Sequence, residues 1–424
     1  MSTATVQSVG GSPTDSVTAT SHDRQVKPST SSRRALDWFV FFVADVQTGF
    51  GPFLAVYLTT QAWTQVDIGF VLTVGSLVAL LGQMPGGLVV DAARSERLVA
   101  GIALGAIGLS ALAYAAAPIY PIVLAAALLH AGASCILGPC IAAISLGLVG
   151  HKAMSERLGR NARFASIGNG VAAAAMGACG YLLSSRAVFV VTALLAVPAL
   201  FALGRVRENE IDPKQAHGGE PALYHHEPMR NLLKSHRRRS LGIFAACIML
   251  FHLGNAAMLP LMGSVLTMRS PAWATVMIAA CIVVPQLVVA LMSPWVGRQS
   301  QRWGRRPLLL MAFAVLPIRG VLFAAIPDPY LLVCVQLLDG VAAAALGVMG
   351  PLVVADITRD TGRFNLAQGI LGTAIGVGAS ISTTLAGYMS DHFGSQTAFL
   401  VLAGVAAIGF ALAFTLLPET RPTD

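Results

Sequence analysis

Charge is what this chain has least of. Only 11% of its 424 residues are Asp, Glu, Lys or Arg, against 55% apolar residues, where a soluble domain carries about 25% charged residues. With less than half the usual polar coat, a globule of this length cannot cover itself for water. That excludes a soluble enzyme or binding domain and makes lipid part of the solvent. Cysteine is also scarce. The six (Cys135, Cys140, Cys179, Cys247, Cys281 and Cys334) all fall inside apolar stretches, and Cys135 and Cys140 lack zinc-ligand spacing. They read as small buried hydrophobes rather than a disulfide framework or a metal site. There is no Gly-x-x-x-x-Gly-Lys-Ser/Thr loop, so nothing supports drive by ATP. Neither His-Glu-x-x-His nor paired aspartates occur, so an intramembrane enzyme is disfavoured. No cofactor is expected.

What is present is apolar length. A hydrocarbon core of about 30 Å needs roughly 20 apolar residues as a helix. Suitable runs lie near 36–60, 67–90, 98–116, 119–149, 162–184 and 187–205, and again near 240–266, 272–296, 307–326, 329–357, 364–388 and 395–417. The 42 glycines and abundant alanines suit helices that pack closely in lipid. Residues 1–34, rich in Ser and Thr, read as a disordered cytoplasmic tail. Ser32-Arg33-Arg34 is no twin-arginine export signal, because the following stretch is too long, carries Asp37 and Asp45, and lacks a cleavage site. Residues 35–205 and 240–418 form two six-span bundles, 206–239 a solvated cytoplasmic linker, and 419–424 a short cytoplasmic tail. The linker histidines (His217, His225, His226 and His236) match no metal site.

The net charge of +8 invites a nucleic-acid reading, but the bases sit in the breaks between spans. With the N-terminus cytoplasmic, 25 of the 28 Lys and Arg residues fall on the cytoplasmic side, leaving Arg186 and Arg269 outside and Arg319 within a span. Such asymmetry is what the positive-inside rule demands, and one missed or invented span would scramble it. The reading is a multi-pass protein of the inner (plasma) membrane with both termini cytoplasmic.

The two bundles look like copies. The first span holds Asp45, Gln47 and Pro52, and the seventh holds His252, Asn255 and Pro260. Aligning the prolines sets Gln47 opposite Asn255, with Asp45 one position from His252. Gly138-Pro139 in the fourth span matches Gly350-Pro351 in the tenth. Gly159-Arg160-Asn161 and Gly362-Arg363-Phe364-Asn365 match in the loops that follow. After the second span of each half come Gly87-Leu88-Val89-Val90-Asp91 and Gly297-Arg298-Gln299-Ser300-Gln301-Arg302-Trp303-Gly304-Arg305-Arg306. These stretches, with six plus six spans and a long middle loop, resemble the major facilitator superfamily and its Gly-x-x-x-Asp-Arg-x-Gly-Arg-Arg motif. The first copy keeps the acid and the second keeps the bases, with Gln301 in the acid's place. The resemblance covers about residues 35–418. It implies an all-α polytopic membrane protein, twelve transmembrane helices in two pseudo-symmetric bundles, usually monomeric, with a cytoplasmic latch. Candidate gate residues are Asp91, Arg94, Arg302, Arg305, Arg306, Asp356, Arg359 and Arg363. Asp91 is expected to engage a helix N-terminus or an arginine across the bundle interface.

An ionisable group inside a span costs roughly 2.5–3.5 kcal/mol on insertion scales, so each needs a purpose or a partner. Asp45, Gln47, His252 and Asn255 are candidates for proton coupling or substrate contact, with interhelical hydrogen bonding as the plainer reading. Arg319 and Asp339 lie roughly 10 and 15 Å from the outer ends of adjacent antiparallel spans, which allows a salt bridge and leaves gating or anion binding as the alternative. His130 reads as a core histidine. The family's frequent arginine nearby is Leu128 here, and Gln336 in the other copy. The fifth span lacks the Gly-Pro pattern typical of drug–proton antiporters. The expected function is secondary active transport of a small-molecule substrate by alternating access, coupled to protons, with efflux of a metabolite or toxicant the favoured direction. The alternative is a transporter-fold membrane sensor without net transport.

Overall fold

The computed structural model describes residues 28–48, 51–219, 236–269 and 274–421, and every regular element among them is helical. In chain order these are α1 (Thr30–Thr48), α2 (Gly51–Thr60), α3 (Gln65–Leu81), α4 (Gln83–Asp91), α5 (Glu96–Ala116), α6 (Tyr120–Leu182), α7 (Ser185–Arg205) and the short α8 (Pro213–Ala216). They continue with α9 (His236–Asn255), α10 (Met258–Arg269), α11 (Ala274–Trp303), α12 (Arg306–Ala325), α13 (Pro329–Ile357), α14 (Phe364–Phe393) and α15 (Ser395–Leu416). Nine spans among the described residues are long and apolar enough to cross a membrane, and α3 with α4, bent by 45°, adds a tenth. Treating α6 as two arms and α1 with α2 as one further span gives the twelve expected.

Local chemistry sets the span ends. Ser95, Ser184 and Asp328 each turn a side-chain oxygen onto the first-turn N–H groups of the helix that follows, from Leu98 (3.2 Å), Ala187 (3.2 Å) and Tyr330 (2.7 Å). An N-terminus facing the interface needs such an acceptor. Gly150 divides α6 by adopting φ 67°, ψ 173°, a left-handed conformation that costs a residue without Cβ little. The second arm then runs unbroken through Gly159-Arg160-Asn161, which the sequence reading places in a loop. Small Gly159 lets this arm lie against α11, where a Cβ would meet the Ser293 carbonyl at 2.6 Å.

Side-chain placement is inverted relative to a soluble bundle. On α5, Leu98, Ile102 and Leu109 are more than 60% exposed, while Ala100, Ala103, Gly108 and Ala111 are buried. Large apolar groups lose nothing by facing hydrocarbon, and small ones let backbones approach. Each half has its own buried cluster. That of the second half also takes in Ala142, Leu146, Met154 and Leu158 of α6, so α6 splices the two together.

The halves meet along two matching crossings, both at the arginine-rich end. In one, a Cβ on Gly87 of α4 would strike the Asn365 carbonyl of α14, and one on Gly369 would strike the Gln83 carbonyl. In the other, a Cβ on Gly297 of α11 would lie 2.5 Å from the Ser155 carbonyl of α6. Away from that end the first crossing reaches as far as Gly376 against Leu80 and the second as far as Ser166, whose hydroxyl donates to the Gln286 carbonyl at 2.9 Å. Beyond these points no described glycine of α3, α4, α6, α11 or α14 meets the opposite half. The molecule is closed at its basic end.

Gly87→Ala should therefore wedge this crossing apart, at a cost of about 1–3 kcal/mol for overpacking against backbone. Gly105→Ala, with open space around it, should stay within about 0.5 kcal/mol of the parent. Thermal unfolding of the detergent-solubilised protein distinguishes them, and equal midpoints would mean the crossing is looser than described.

Candidate functional site

The closed end is organised around one helix terminus. α14 begins at Phe364, and its first N–H groups have no partner inside the helix. Asp91, buried at the end of α4 in the other half, accepts from the backbone N–H of Asn365 (3.1 Å) and of Leu366 (2.8 Å), and from Asn365 Nδ2 (2.8 Å). The Phe364 N–H donates to the His217 carbonyl (3.1 Å). A carboxylate at the positive end of a helix dipole is the favourable polarity. The second copy is built differently. Gln301 meets the flank of α6, donating from Nε2 to Ser155 Oγ (2.7 Å) and toward the Lys152 carbonyl (3.5 Å). An amide suits that place, because it can donate to a carbonyl that an acid would face with like charge.

Residues 206–219 correct the reading of a solvated linker. The Arg207 N–H donates to Ser32 Oγ (3.2 Å), and Glu210 accepts from the Ser29 N–H (2.9 Å). The Asp212 N–H donates to the Gly147 carbonyl (3.0 Å), and the Gly218 carbonyl accepts from the Thr361 N–H (3.0 Å). This strap thus touches both halves. His217 is buried, with Nδ1 2.6 Å from the Pro213 carbonyl and Nε2 3.5 Å from Glu96 Oε1. Nδ1 thus meets the strap's own backbone, and Nε2 faces the Glu96 carboxylate without a hydrogen bond among the described residues. His225 and His226 lie outside the described residues, as does the side chain of His236. Two further boundaries move: α1 starts at Thr30, inside the expected tail, and α9 starts at His236, inside the expected linker. The C-terminal tail is tethered as well. Glu419 accepts from the N–H groups of Arg305 (2.8 Å) and Arg306 (3.0 Å). Partial burial opposes its charge, but these donors and the Arg305 guanidinium hold its carboxyl below the usual range.

The remaining gate candidates separate by role. Arg305 donates to Asp356 (2.8 Å) and to the Ser300 carbonyl (3.0 Å), both within its own half. Arg306 donates to the Phe414 carbonyl (2.6 Å). Arg302 and Arg359 are exposed and contribute their carbonyls, to Arg421 (3.2 Å) and Arg237 (2.5 Å). Arg363 is the residue before α14. Arg94 is exposed and makes no hydrogen bond or ion pair with the described residues. The sequence reading missed a pin in the first half. Asp37, buried, accepts from Arg157 (2.6 Å) and from Arg160, while Arg157 Nε donates to Asn161 (2.7 Å). Its signal was available, since Arg157, Arg160 and Asn161 at three- and four-residue spacing share one helical face.

Within the spans, four candidates come together. Arg319 of α12 is buried and bonds Asp339 of α13, Asn255 Oδ1 of α9 (2.5 Å) and Met258 Sδ (3.2 Å). His252, one turn before Asn255, lies within electrostatic range of Asp339. Asp339 keeps 29% of its side-chain surface exposed. Arg319 Nε is buried without a partner among the described residues. The side chains of Asp45 and Gln47 lie outside the described residues. His130 sits apart from this cluster, its Nε2 3.4 Å from Ser134 Oγ.

Known proteins match this chain in sequence and in fold. The model described as Major Facilitator Superfamily matches residues 38–289 and 247–424. An uncharacterized MFS-type transporter of Mycobacterium tuberculosis is 39% identical over 92% of this chain and 94% of its own length. The tetracycline resistance protein, class B, of Escherichia coli is 27% identical over 32% of this chain and 33% of its own. The multi-drug resistance efflux pump PmrA of Streptococcus pneumoniae is 25% identical over 32% and 34%. In fold, the chain superposes on the human organic anion transporter MFSD10 with a TM-score of 0.70 at 17% identity, covering 91% of this chain and 100% of that one.

Two measurements follow. Asp91→Asn keeps the shape but loses the charged acceptor for three donors, so the closed arrangement should weaken by about 1–3 kcal/mol. Distances between spin labels at exposed Lys152 and Arg359, on opposite halves, should shift toward a longer population. An unchanged distribution would remove Asp91 from holding the halves together. Arg319→Met should destabilise by about 3–5 kcal/mol, and Arg319→Met with Asp339→Leu by clearly less, because the single change strands a buried charge. A double variant no milder than the single one would show that the two do not depend on each other.

Proposed function

The chain belongs to the Major Facilitator Superfamily, and from that premise we propose that it is a proton-coupled carrier exporting a small, mostly apolar toxicant or metabolite. The observation that carries the reading is the Arg319–Asp339–Asn255 cluster with His252 beside it. A buried arginine in a span is expensive, and here its carboxylate partner remains partly open. Proton and substrate would compete for Asp339. With Asp339 ionised, its exposed oxygen can accept from a donor group on a substrate beside Arg319. Once a proton neutralises Asp339, that oxygen stops accepting and the substrate is released. Exchange of one occupant for the other is antiport. Asp45 and Gln47, from the matching span of the first half, are proposed to face the same pathway.

The direction rests on the relatives named for efflux and drug resistance, which align over about a third of the chain. We read the arginine-rich end as cytoplasmic, which makes the described form outward-facing, in the plasma (inner) membrane. Rocking to the inward-facing form breaks the bonds of Asp91 to the α14 terminus, so ligand or proton binding must favour the other form by a comparable amount.

Proteoliposomes with an imposed pH gradient and a panel including tetracycline and puromycin test the proposal. At least one compound should be driven by the gradient and stopped by a protonophore. Asp339→Asn should lower gradient-driven flux by about tenfold or more, the scale of a lost coupling of 1–3 kcal/mol, while still binding substrate. Flux that ignores the gradient, or an Asp339→Asn variant with the parent's coupling, would overturn it.

A further inference from the structure

Outside the transport pathway, a groove of about 510 Å³ runs between the basic end of α1 and the basic end of α7. Its chemistry is ordered along the helix axes. On α1, Arg34, Trp38 and Phe42 recur every four residues and so line one face. On α7, Arg205 is followed inward by Phe201 and Pro198. The arginines stand at the mouth, the rings line the next turns, and buried Ala35 and Ala202 keep the floor shallow. The eight steps along α1 from Arg34 to Phe42 cover about 12 Å, the depth from a headgroup into the upper acyl region. Trp38 and Phe201 are 51% and 64% exposed, and Trp38 stacks on Phe42 with centroids 6.0 Å apart.

Both arginines are available. Arg205 lies 4.7 Å over the Phe201 ring, and neither it nor Arg34 makes a hydrogen bond or ion pair with the described residues. The nearby carboxylates are engaged: Glu210 with Ser29 and Arg207, Glu208 with Arg97. A second groove, on the other flank of α7 against α5, supplies a control. It is of similar size and apolar, but its only arginine, Arg97, already donates to the Val206 carbonyl (2.7 Å) and to Glu208 (3.2 Å). Among the described residues, one groove offers two unneutralised cations above an aromatic wall, and its neighbour offers none.

We propose that the α1–α7 groove is a binding site for an anionic phospholipid, with the phosphate between Arg34 and Arg205 and an acyl chain along Trp38, Phe42 and Phe201. Charge complementarity selects the anionic headgroup, and the order from arginine to ring selects an amphiphile over a free anion. The site rests only on which residues meet there, so it stands whatever the carrier transports.

Native mass spectrometry of the full-length protein in detergent tests this, with phosphatidylglycerol and phosphatidylcholine of identical chains as probes. The parent should retain one phosphatidylglycerol in preference to phosphatidylcholine. Arg34→Gln and Arg205→Gln should each lower that preference by about fivefold, the worth of one arginine at an anionic surface, and together abolish it. Arg97→Gln should leave it intact. All three positions are at the surface, and size-exclusion profiles check that each variant is folded. Brominated-chain phosphatidylglycerol should quench Trp38 in a variant whose other tryptophans are phenylalanine. Equal retention of both lipids by the parent, undiminished preference in the double variant, or absence of Trp38 quenching would overturn the site. Displacement of the lipid by equimolar inorganic phosphate would overturn it too, as a phosphate site.

Discussion

A helix that begins at the junction between two rigid bundles has several N–H groups facing whatever lies across the gap. In α14 those groups face the first half, and Asp91 together with the His217 carbonyl accounts for the first three. Lipid offers no substitute acceptors, and water reaches the terminus only if the halves part. Asp91 at this helix end and the glycine contact at Gly87, which lets α4 and α14 approach, are two of the contacts that join the halves here. The Asp37–Arg157 and Arg305–Asp356 pairs stiffen each half separately, and the strap of residues 206–219 lies against both.

The internal duplication repeats the two glycine crossings and is broken in charge. The crossing of α4 with α14 and that of α6 with α11 use glycines in equivalent places, each against an opposing carbonyl. The acid survives only where a helix starts. Where the partner helix runs past, as the second arm of α6 does, a carboxylate would meet carbonyls instead of N–H groups, and Gln301 stands there. The loss of the acid from the second copy is then a consequence of where the partner helix begins. One crossing is charged and the other neutral, so the two need not yield together when the halves rock.

Much of this was legible beforehand. Apolar runs of span length and the one-sided distribution of arginine reflect the energetics of lipid, which act on each segment alone. The nearness of Arg319 and Asp339 could be anticipated because both lie on adjacent spans at comparable depth. Asn255 joins them only because α9 packs alongside. His217 looked like one more polar linker residue, yet it is buried against Glu96. Gly159-Arg160-Asn161 looked like a loop, yet it is helical, because the break falls at Gly150, nine residues earlier.

By itself, then, the sequence determined the membrane class, the number of the spans, the duplication and the family, since each depends on local composition or on spacing along the chain. The tertiary structure alone decided which end is closed, which half Asp91 serves, that Arg305 pins its own half, that the linker's first part is a strap, and that two arginines far apart in sequence share one groove. Those outcomes depend on where helices end relative to one another in space. That is a matter of packing between segments, which no single segment encodes.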